Sequence, residues 1–321
     1  MKAIVLTKYG GPEVLQLAEV AKPAPNDDEI LVEIHAAAAN PLDYHRMRGG
    51  PARVAGWLMR IPESRRLGTD VAGRVEAVGQ NVTQFQPGDE VFGCCVGSFA
   101  EYACARENRV ALKPANRSFE EASAVPVAAI TALQGLRDAG QVRSGQRVVV
   151  NGASGGVGTF AVQLAKTFGA EVTGVCSTRN LDLVRSIGAD HVVDYTRKDF
   201  TRNGQRYDLI FDAMGNRSVS DYRRALQPQG TCIIAGAYSV PRLLGHLVLA
   251  PLQSKTGNRK VRLMTMTRIN QKDLVVLKEL LEAGKVLPVL DRCYPLRETA
   301  EAIGYLEQRH ARGKVVITVT R

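Results

Sequence analysis

The sequence predicts an α/β protein: a doubly wound parallel sheet joined to a separate, β-rich module. Three observations carry this expectation. A glycine-rich turn, Gly152-Ala153-Ser154-Gly155-Gly156-Val157-Gly158, stands between a β-branched run and a helical pattern. From about residue 124 to 267, apolar runs of strand length alternate with amphipathic helical stretches, the pattern of strands buried on both faces between helices. Residues 1 to about 123 instead show short strands at turn spacing, which suits a compact barrel-like module.

Taken in order, the β-rich part offers Lys2–Leu6, the turn Tyr9-Gly10-Gly11-Pro12, Glu29–His35, Gly73–Val78, the turn Phe85-Gln86-Pro87-Gly88-Asp89, and Glu90–Gly93. Glycine and proline supply the turn geometry. The alternating part begins with strand Val148–Val150 and a helix from Val157 to about Phe168. Strand Glu171–Cys176 and a helix over Leu181–Ile187 follow, then strands His191–Val193 and Leu209–Phe211, a helix around Ser220–Leu226, and strand Gly230–Ala235. Val240–Arg262 reads as less regular and rich in leucine, suited to a lid or a subunit contact, with a membrane-surface helix as the other reading. Asp273–Ala283 is a helix closed by Gly284, Glu298–Gln308 is another, and Lys314–Val319 is a final strand. A terminal strand after two helices fits a chain that returns to its first module. The expected domains are therefore 1–123 with 268–321, and 124–267.

Strand, tight glycine turn and helix together make a dinucleotide-binding fingerprint. Without side chains the backbone can approach a diphosphate, and the helix points its free N–H groups and positive dipole end at that anion. Gly152, Gly155 and Gly158 are spaced three apart, unlike the commonest G-x-G-x-x-G form. In an NAD-type site an acid at the end of the second strand binds the ribose 2′-hydroxyl. Here that strand ends Cys176-Ser177-Thr178-Arg179-Asn180, with hydroxyls and an arginine but no acid. The expected cofactor is NADP(H), with Arg179 near the 2′-phosphate.

Composition narrows the class. A hydrophobic content of 45% with 23% charged residues describes an ordinary globular protein. No apolar run is long enough to span a bilayer, and the N-terminus does not read as a signal peptide, so a cytoplasmic protein without stable membrane insertion is expected. The six scattered cysteines form no disulfide framework. The net charge of +10 admits nucleic-acid or membrane contact, but the basic residues are dispersed and carry no RNA-binding aromatic signature, so a solvated basic surface is expected, with no nucleic-acid partner.

The motifs Tyr9-Gly10-Gly11-Pro12-Glu13-Val14-Leu15, Asn40-Pro41-Leu42-Asp43, Pro87-Gly88-Asp89-Glu90-Val91-Phe92-Gly93, Asn151–Gly158, Ile187-Gly188-Ala189-Asp190 and Arg312-Gly313-Lys314-Val315-Val316 occur in this order over nearly the whole length. With them the chain resembles the zinc-independent medium-chain dehydrogenases/reductases of the quinone oxidoreductase type. The resemblance implies a GroES-like catalytic domain, split in sequence, around a Rossmann domain. It also implies a homodimer formed by edge-strand pairing around Cys232–Tyr238 and the following segment, and hydride transfer from NADPH to a quinone or an α,β-unsaturated carbonyl. By the same resemblance, Thr131 lies near the nicotinamide ribose, and Ser154, Gly155, Gly156 and Val157 cradle the diphosphate. Ser177, Thr178 and Tyr195 meet the 2′-phosphate, Gly236 and Ala237 line the nicotinamide face, and Lys314 approaches a phosphate.

Zinc-dependent members carry a cysteine at the position of Asn40 and a His-Glu pair at Thr69-Asp70. Asn40 and Thr69 are not zinc ligands of the usual kind, and adjacent Cys94 and Cys95 do not reproduce a structural four-cysteine lobe, so no metal is expected. Without a Lewis acid to form an alkoxide, reduction of an activated acceptor is expected over alcohol oxidation. Asn40, Asp43 and Tyr44 are the catalytic candidates: Asn40 to hydrogen-bond acceptor or ribose, Asp43 to orient neighbours, Tyr44 to donate to a developing oxyanion. His45 reads as a rim residue, and Arg53, Trp57 and Met59 as one wall of the substrate entrance. A trans-2-enoyl thioester reductase, and a non-catalytic NADPH-binding protein with RNA or membrane affinity, are the alternative readings.

Overall fold

The computed structural model describes residues 1–49, 66–236, 239–254, 258–264 and 267–319. The suggested wall residues Arg53, Trp57 and Met59 lie outside them. The chain forms two compact units: Met1–Val127 with Ile269–Gly284 and Pro288–Arg321, and Ala128–Arg268 with Lys285–Leu287.

The first unit opens with β1 (Lys2–Leu6) and β2 (Leu15–Glu19), paired antiparallel. Then come β3 (Glu29–Ala39), helix α1 (Pro41–Arg48), β4 (Asp70–Val78), β5 (Glu90–Cys94), β6 (Tyr102–Arg106), β7 (Val110–Leu112), helix α2 (Phe119–Ser123) and helix α3 (Pro126–Gln134). β3 runs four residues past its expected end, through Ala36–Ala39. Alanine carries no β-branched signal, yet here small side chains are needed. Ala36 and Ala38 pack against Ala124 and Val316 on one face, and Ala37 and Ala39 enter the main apolar cluster on the other. The short α1 escapes a periodicity reading because it is polar rather than amphipathic. It is set by its start, where Pro41 fixes the first helical φ and Asp43 returns to the Asn40 N–H.

The second unit is the doubly wound sheet. It contains β8 (Arg147–Asn151), α4 (Gly156–Thr167), β9 (Glu171–Cys176), α5 (Leu181–Ser186), β10 (His191–Asp194), β11 (Tyr207–Asp212), α6 (Val219–Ala225), β12 (Leu226–Ile234), α7 (Val240–Ser254) and β13 (Lys260–Leu263). All pairings are parallel, in the order β10-β9-β8-β11-β12-β13. Counted from β8, this is the Rossmann order 3-2-1-4-5-6, whose direction reverses between β8 and β11. Val148, Val149, Val150, Ile210 and Phe211 are fully buried, as strands covered on both faces must be. The Val240–Arg262 stretch is not irregular, as expected, but a fifteen-residue helix followed by the edge strand. His246 and Ala250 face inward, while Leu244, Leu247, Val248 and Leu249 are exposed. Leu244, Leu247 and Leu249 therefore point outward.

The chain closes with α8 (Gln271–Glu282), β14 (Leu290–Pro295), α9 (Thr299–Glu307) and β15 (Lys314–Thr318). The Asn270 side chain caps α8 by accepting the Asp273 N–H, and Gly284 follows it with φ +66°. β15 returns to the first unit, antiparallel to β3 and parallel to β14. The larger sheet there runs β14-β15-β3-β4-β5-β7, with β6 also on β3.

Candidate active site residues on the two units

In the sheet unit the glycine turn leaves β8 directly over the carboxyl ends of the strands. The Gly152 and Ala153 N–H groups donate to the Val175 carbonyl at 3.1 and 3.0 Å, and Gly155 N–H donates to Gly152 O at 3.1 Å. The glycines do different work. Gly152 has φ +82°, and a Cβ on Gly158 would lie 2.0 Å from the Gly152 carbonyl oxygen. Both are required by the backbone itself. A Cβ on Gly155 would meet nothing nearer than Gly152 O at 3.5 Å, so that glycine leaves open space before the first turn of α4. Gly155 is the N-cap, and Gly156 and Val157 open the helix. First-turn N–H groups have no intrahelical acceptor, so this space faces unpaired donors and the positive dipole end. The residues fit a dinucleotide diphosphate.

At the ends of β9 and β10 the hydroxyl-rich segment divides into two sets. Asn180, 5% exposed, donates through Nδ2 to Ser154 Oγ at 2.9 Å and to Ser177 Oγ at 3.2 Å. Thr178 instead donates to Asp194 Oδ2, whose carboxylate also takes the Thr196 N–H and hydroxyl at 2.9 and 2.7 Å. The Thr178 and Thr196 hydroxyls hold the Asp194 carboxyl below its usual range. The Thr178 hydroxyl proton is committed to Asp194, which leaves Thr178 its lone pairs. Sequence reading saw no acid at the end of β9. The acid stands opposite Cys176 on the neighbouring strand, its oxygens already engaged. Arg179 and Tyr195 are exposed beside this segment.

Where the strand order reverses, Asn151 Nδ2 bridges Asp212 Oδ2 at 3.1 Å and Asn216 Oδ1 at 3.0 Å. Asp212, fully buried, also accepts the Met214 and Gly215 N–H groups at 2.7 and 2.8 Å and the Tyr222 hydroxyl. Burial, then the Asp212 charge, push the Tyr222 hydroxyl far above the ordinary phenol range, so it remains a donor. This network, absent from the sequence reading, fixes the loop after β11. Gly236 lies against that loop, where a Cβ would sit 1.9 Å from Ala213 O. Thr131, on α3, pairs its hydroxyl with that of Thr267 at 2.8 Å. Ala237 lies outside the described residues.

In the β-rich unit one buried carboxylate gathers five elements. Asp70 Oδ2 accepts from Asn40 Nδ2 at 2.9 Å and Lys314 Nζ at 3.2 Å, while Oδ1 accepts the Val127 N–H at 2.9 Å and the Cys94 thiol at 3.6 Å. Lys314 Nζ also donates to Asn40 Oδ1 at 2.7 Å and Ala39 O at 3.3 Å. All three ammonium hydrogens are thus used, and the side chain is 3% exposed. Lys314 is thus engaged by Asp70, Asn40 and Ala39. Asn40 is likewise turned inward, its second amide hydrogen on Ala38 O at 3.3 Å, so its amide is not offered to an acceptor. Tyr44 packs in the apolar cluster with Met47, Leu67 and Phe99.

Asp43 accepts the Asn40 N–H at 2.8 Å and the Gly68 N–H at 3.1 Å. Burial raises its pKa to about 6, opposed by those two N–H groups. Among the described residues no group of three His, Cys, Asp or Glu side chains could hold a metal ion. Burial foremost pushes Cys94 up and Cys95 to about 12, leaving both as thiols. A thiol, an amide and a lysine-paired carboxylate do not fit zinc.

Residues 26–115 match the alcohol dehydrogenase GroES-like domain and residues 187–317 the zinc-binding dehydrogenase family. The chain is 37% identical over 332 residues to 2-methylene-furan-3-one reductase of Solanum lycopersicum, spanning 99% of this chain and 79% of that protein. It is 35% identical over 334 residues to the chloroplastic NADPH-dependent alkenal/one oxidoreductase of Arabidopsis thaliana, with the same two shares, 99% and 79%. Among solved structures, the quinone oxidoreductase from Coxiella burnetii superposes with a TM-score of 0.87 at 30% identity, over 100% of this chain and 99% of that one.

Three outcomes are expected. Gly158→Ala loses at least about 1–3 kcal/mol of stability in urea unfolding, from overpacking against Gly152. Gly155→Ala stays within about 0.5 kcal/mol of wild type but binds dinucleotide at least tenfold more weakly by calorimetry. Lys314→Met strands the buried Asp70 charge and costs about 3–5 kcal/mol, most of it recovered in the Asp70→Asn/Lys314→Met pair. For Asp43, a folded pKa above the unfolded value means the native state holds the proton more tightly. Its stability contribution is complete below pH about 4 and is lost as pH rises through about 6, a change of about 3 kcal/mol. Wild type should therefore lose stability relative to Asp43→Asn over that interval and run parallel to it above pH 7; the opposite slope would refute the assignment.

Proposed function

This chain belongs to the medium-chain dehydrogenase/reductase superfamily, in its quinone oxidoreductase and alkenal/enone reductase group, and from that premise we propose that it reduces a quinone or an α,β-unsaturated carbonyl with NADPH. The coarser statement, an NAD(P)H-dependent oxidoreductase of this group, follows from the relatives. The observation that supports NADPH in particular is the segment after β9. The β9 end itself carries no acid, and Asp194 on the neighbouring strand already accepts from Thr178 and Thr196. Arg179 is exposed beside it, the kind of group that accommodates a 2′-phosphate.

A bound NADPH would supply the hydride for the quinone or enone, and the accompanying proton would come from water. The protein's part is binding and orientation. Ser154, Gly155, Gly156 and Val157 would hold the diphosphate; Ser177, Arg179 and Tyr195 would contact the 2′-phosphate end; Thr131 and Gly236 would serve the nicotinamide half. Asn40, Asp43 and Lys314 act as positioning residues that keep the start of α1 and the adjoining strand ends in place. No side chain is assigned as the proton donor, Tyr44 being part of the apolar core.

We further propose a homodimer, with the edge strand β13 and the outward leucines of α7 as the contact. Among the described residues no helix is long and apolar enough to cross a membrane. The activity is tested by following NADPH oxidation with a benzoquinone, a naphthoquinone, an alkenal, an enoyl thioester and a simple ketone, with NADH in parallel. The expected result is turnover of quinone or alkenal, undiminished by a chelator, with kcat/KM for NADPH at least tenfold above NADH. Turnover of the ketone alone, or none with any acceptor, would overturn the proposal.

A further inference from the structure

Asn180 stands where the diphosphate turn meets the end of β9, and its amide decides which way two hydroxyl protons point. Its Nδ2 donates to both Ser154 Oγ and Ser177 Oγ. A serine hydroxyl has one proton and two lone pairs. A serine whose oxygen already accepts from an amide keeps its own proton to give away. Ser154 lies beside the open space before α4, and Ser177 opens the short turn after β9. Thr178 is the built-in contrast: one residue on from Ser177, it spends its proton on Asp194 and offers an anion only lone pairs. Among the described residues Asn180 Oδ1 has no hydrogen-bond partner although the residue is 5% exposed, so the amide is held by its N–H side alone. A buried acceptor left unpaired is costly.

We infer that Asn180 is a positioning residue for phosphate recognition, which orients the Ser154 and Ser177 hydroxyls as donors toward the anionic groups of the cofactor. It supplies what a carboxylate in its place could not. Asp at this position would take both protons and present two oxygens to a phosphate. The neutral amide gives the same shape with the opposite polarity. The inference rests on the reading of this unit as an NADPH site. It assigns the 2′-phosphate contact to Ser177 rather than Thr178, and the shared diphosphate contact to Ser154.

Equilibrium binding, without turnover, tests it. Calorimetry would measure NADPH, NADH and 2′,5′-ADP against wild type and the variants Asn180→Asp, Ser177→Ala, Ser154→Ala and Asn180→Asp/Ser177→Ala, with thermal midpoints recorded for each. Expected for Asn180→Asp is a loss of at least thirtyfold in NADPH affinity with a thermal midpoint close to wild type. Ser177→Ala should weaken NADPH and 2′,5′-ADP about fivefold and leave NADH unchanged, whereas Ser154→Ala should weaken NADPH and NADH alike. Because Asn180 acts through the serines, Ser177→Ala should cost nothing further in the Asn180→Asp background. Wild-type affinity in Asn180→Asp would overturn the inference, since the serines would then already be giving their protons to residue 180. Fully additive losses would overturn it too, reducing Asn180→Asp to a plain charge effect. Should Asn180→Asp not fold, the serine variants decide: equal losses of NADPH and NADH in Ser177→Ala contradict the assignment. If wild type binds neither dinucleotide, the cofactor reading itself fails and this inference with it.

Discussion

One close approach governs the sheet unit: the first turn of α4 is seated on the carbonyl of Gly152 so tightly that position 158 cannot carry a side chain. That contact brings the helix N-terminus over the end of β8. Unpaired N–H groups and the positive end of the dipole then converge at one place. Everything nearby adapts to keep the space clear. Gly155 leaves it open, and Ser154 is tied back to Asn180. On the other side of the strand reversal, Asp212 binds Met214 and Gly215 by their amides, so that loop cannot swing across the crevice. A dinucleotide laid across such a reversal meets a preformed surface, which lowers the ordering cost of binding.

The β-rich unit is organised differently, around charge rather than backbone proximity. Four donors meet on Asp70, and the Lys314 ammonium lies among them. A buried pair of this kind contributes little net stability compared with an apolar substitute, but it is severe on any arrangement that separates the partners. It therefore specifies a geometry. Asn40 is the shared ligand of both charges, through Nδ2 and Oδ1, and the helix that starts after it inherits that orientation. Asn40 and Asp70 share one cation between them. That cation is a side chain of the same polypeptide.

Most of the fold was legible because its signals are local. Glu171–Cys176 is β-branched and bounded by turn residues, and the structure has the strand at those residues. The glycine turn was legible for the same reason. What escaped was set by long-range contacts. Ala36–Ala39 is strand because its neighbours demand small residues, not because alanine favours sheets. That α7 is a regular helix escaped, because a leucine-rich stretch does not by itself declare its secondary structure. At the site, the backbone features were legible, as at the turn of Gly155 and Gly156. Side-chain partners distant in sequence were not. Lys314 meets Asp70 across 244 positions, and Thr178 meets Asp194 across 16. No one-dimensional pattern indicates that those protons are already spent.

The central claim is that the sheet unit offers a preformed NADPH surface running from the glycine turn to the loop after β11. Hydrogen–deuterium exchange of the full chain with and without saturating NADPH tests it most directly. At least tenfold slower exchange is predicted for amides in 152–159 and 176–180, with smaller protection in 213–216 and unchanged exchange in β1 and β2. Unchanged exchange in 152–159 despite bound NADPH, or protection confined to the β-rich unit, would contradict the account.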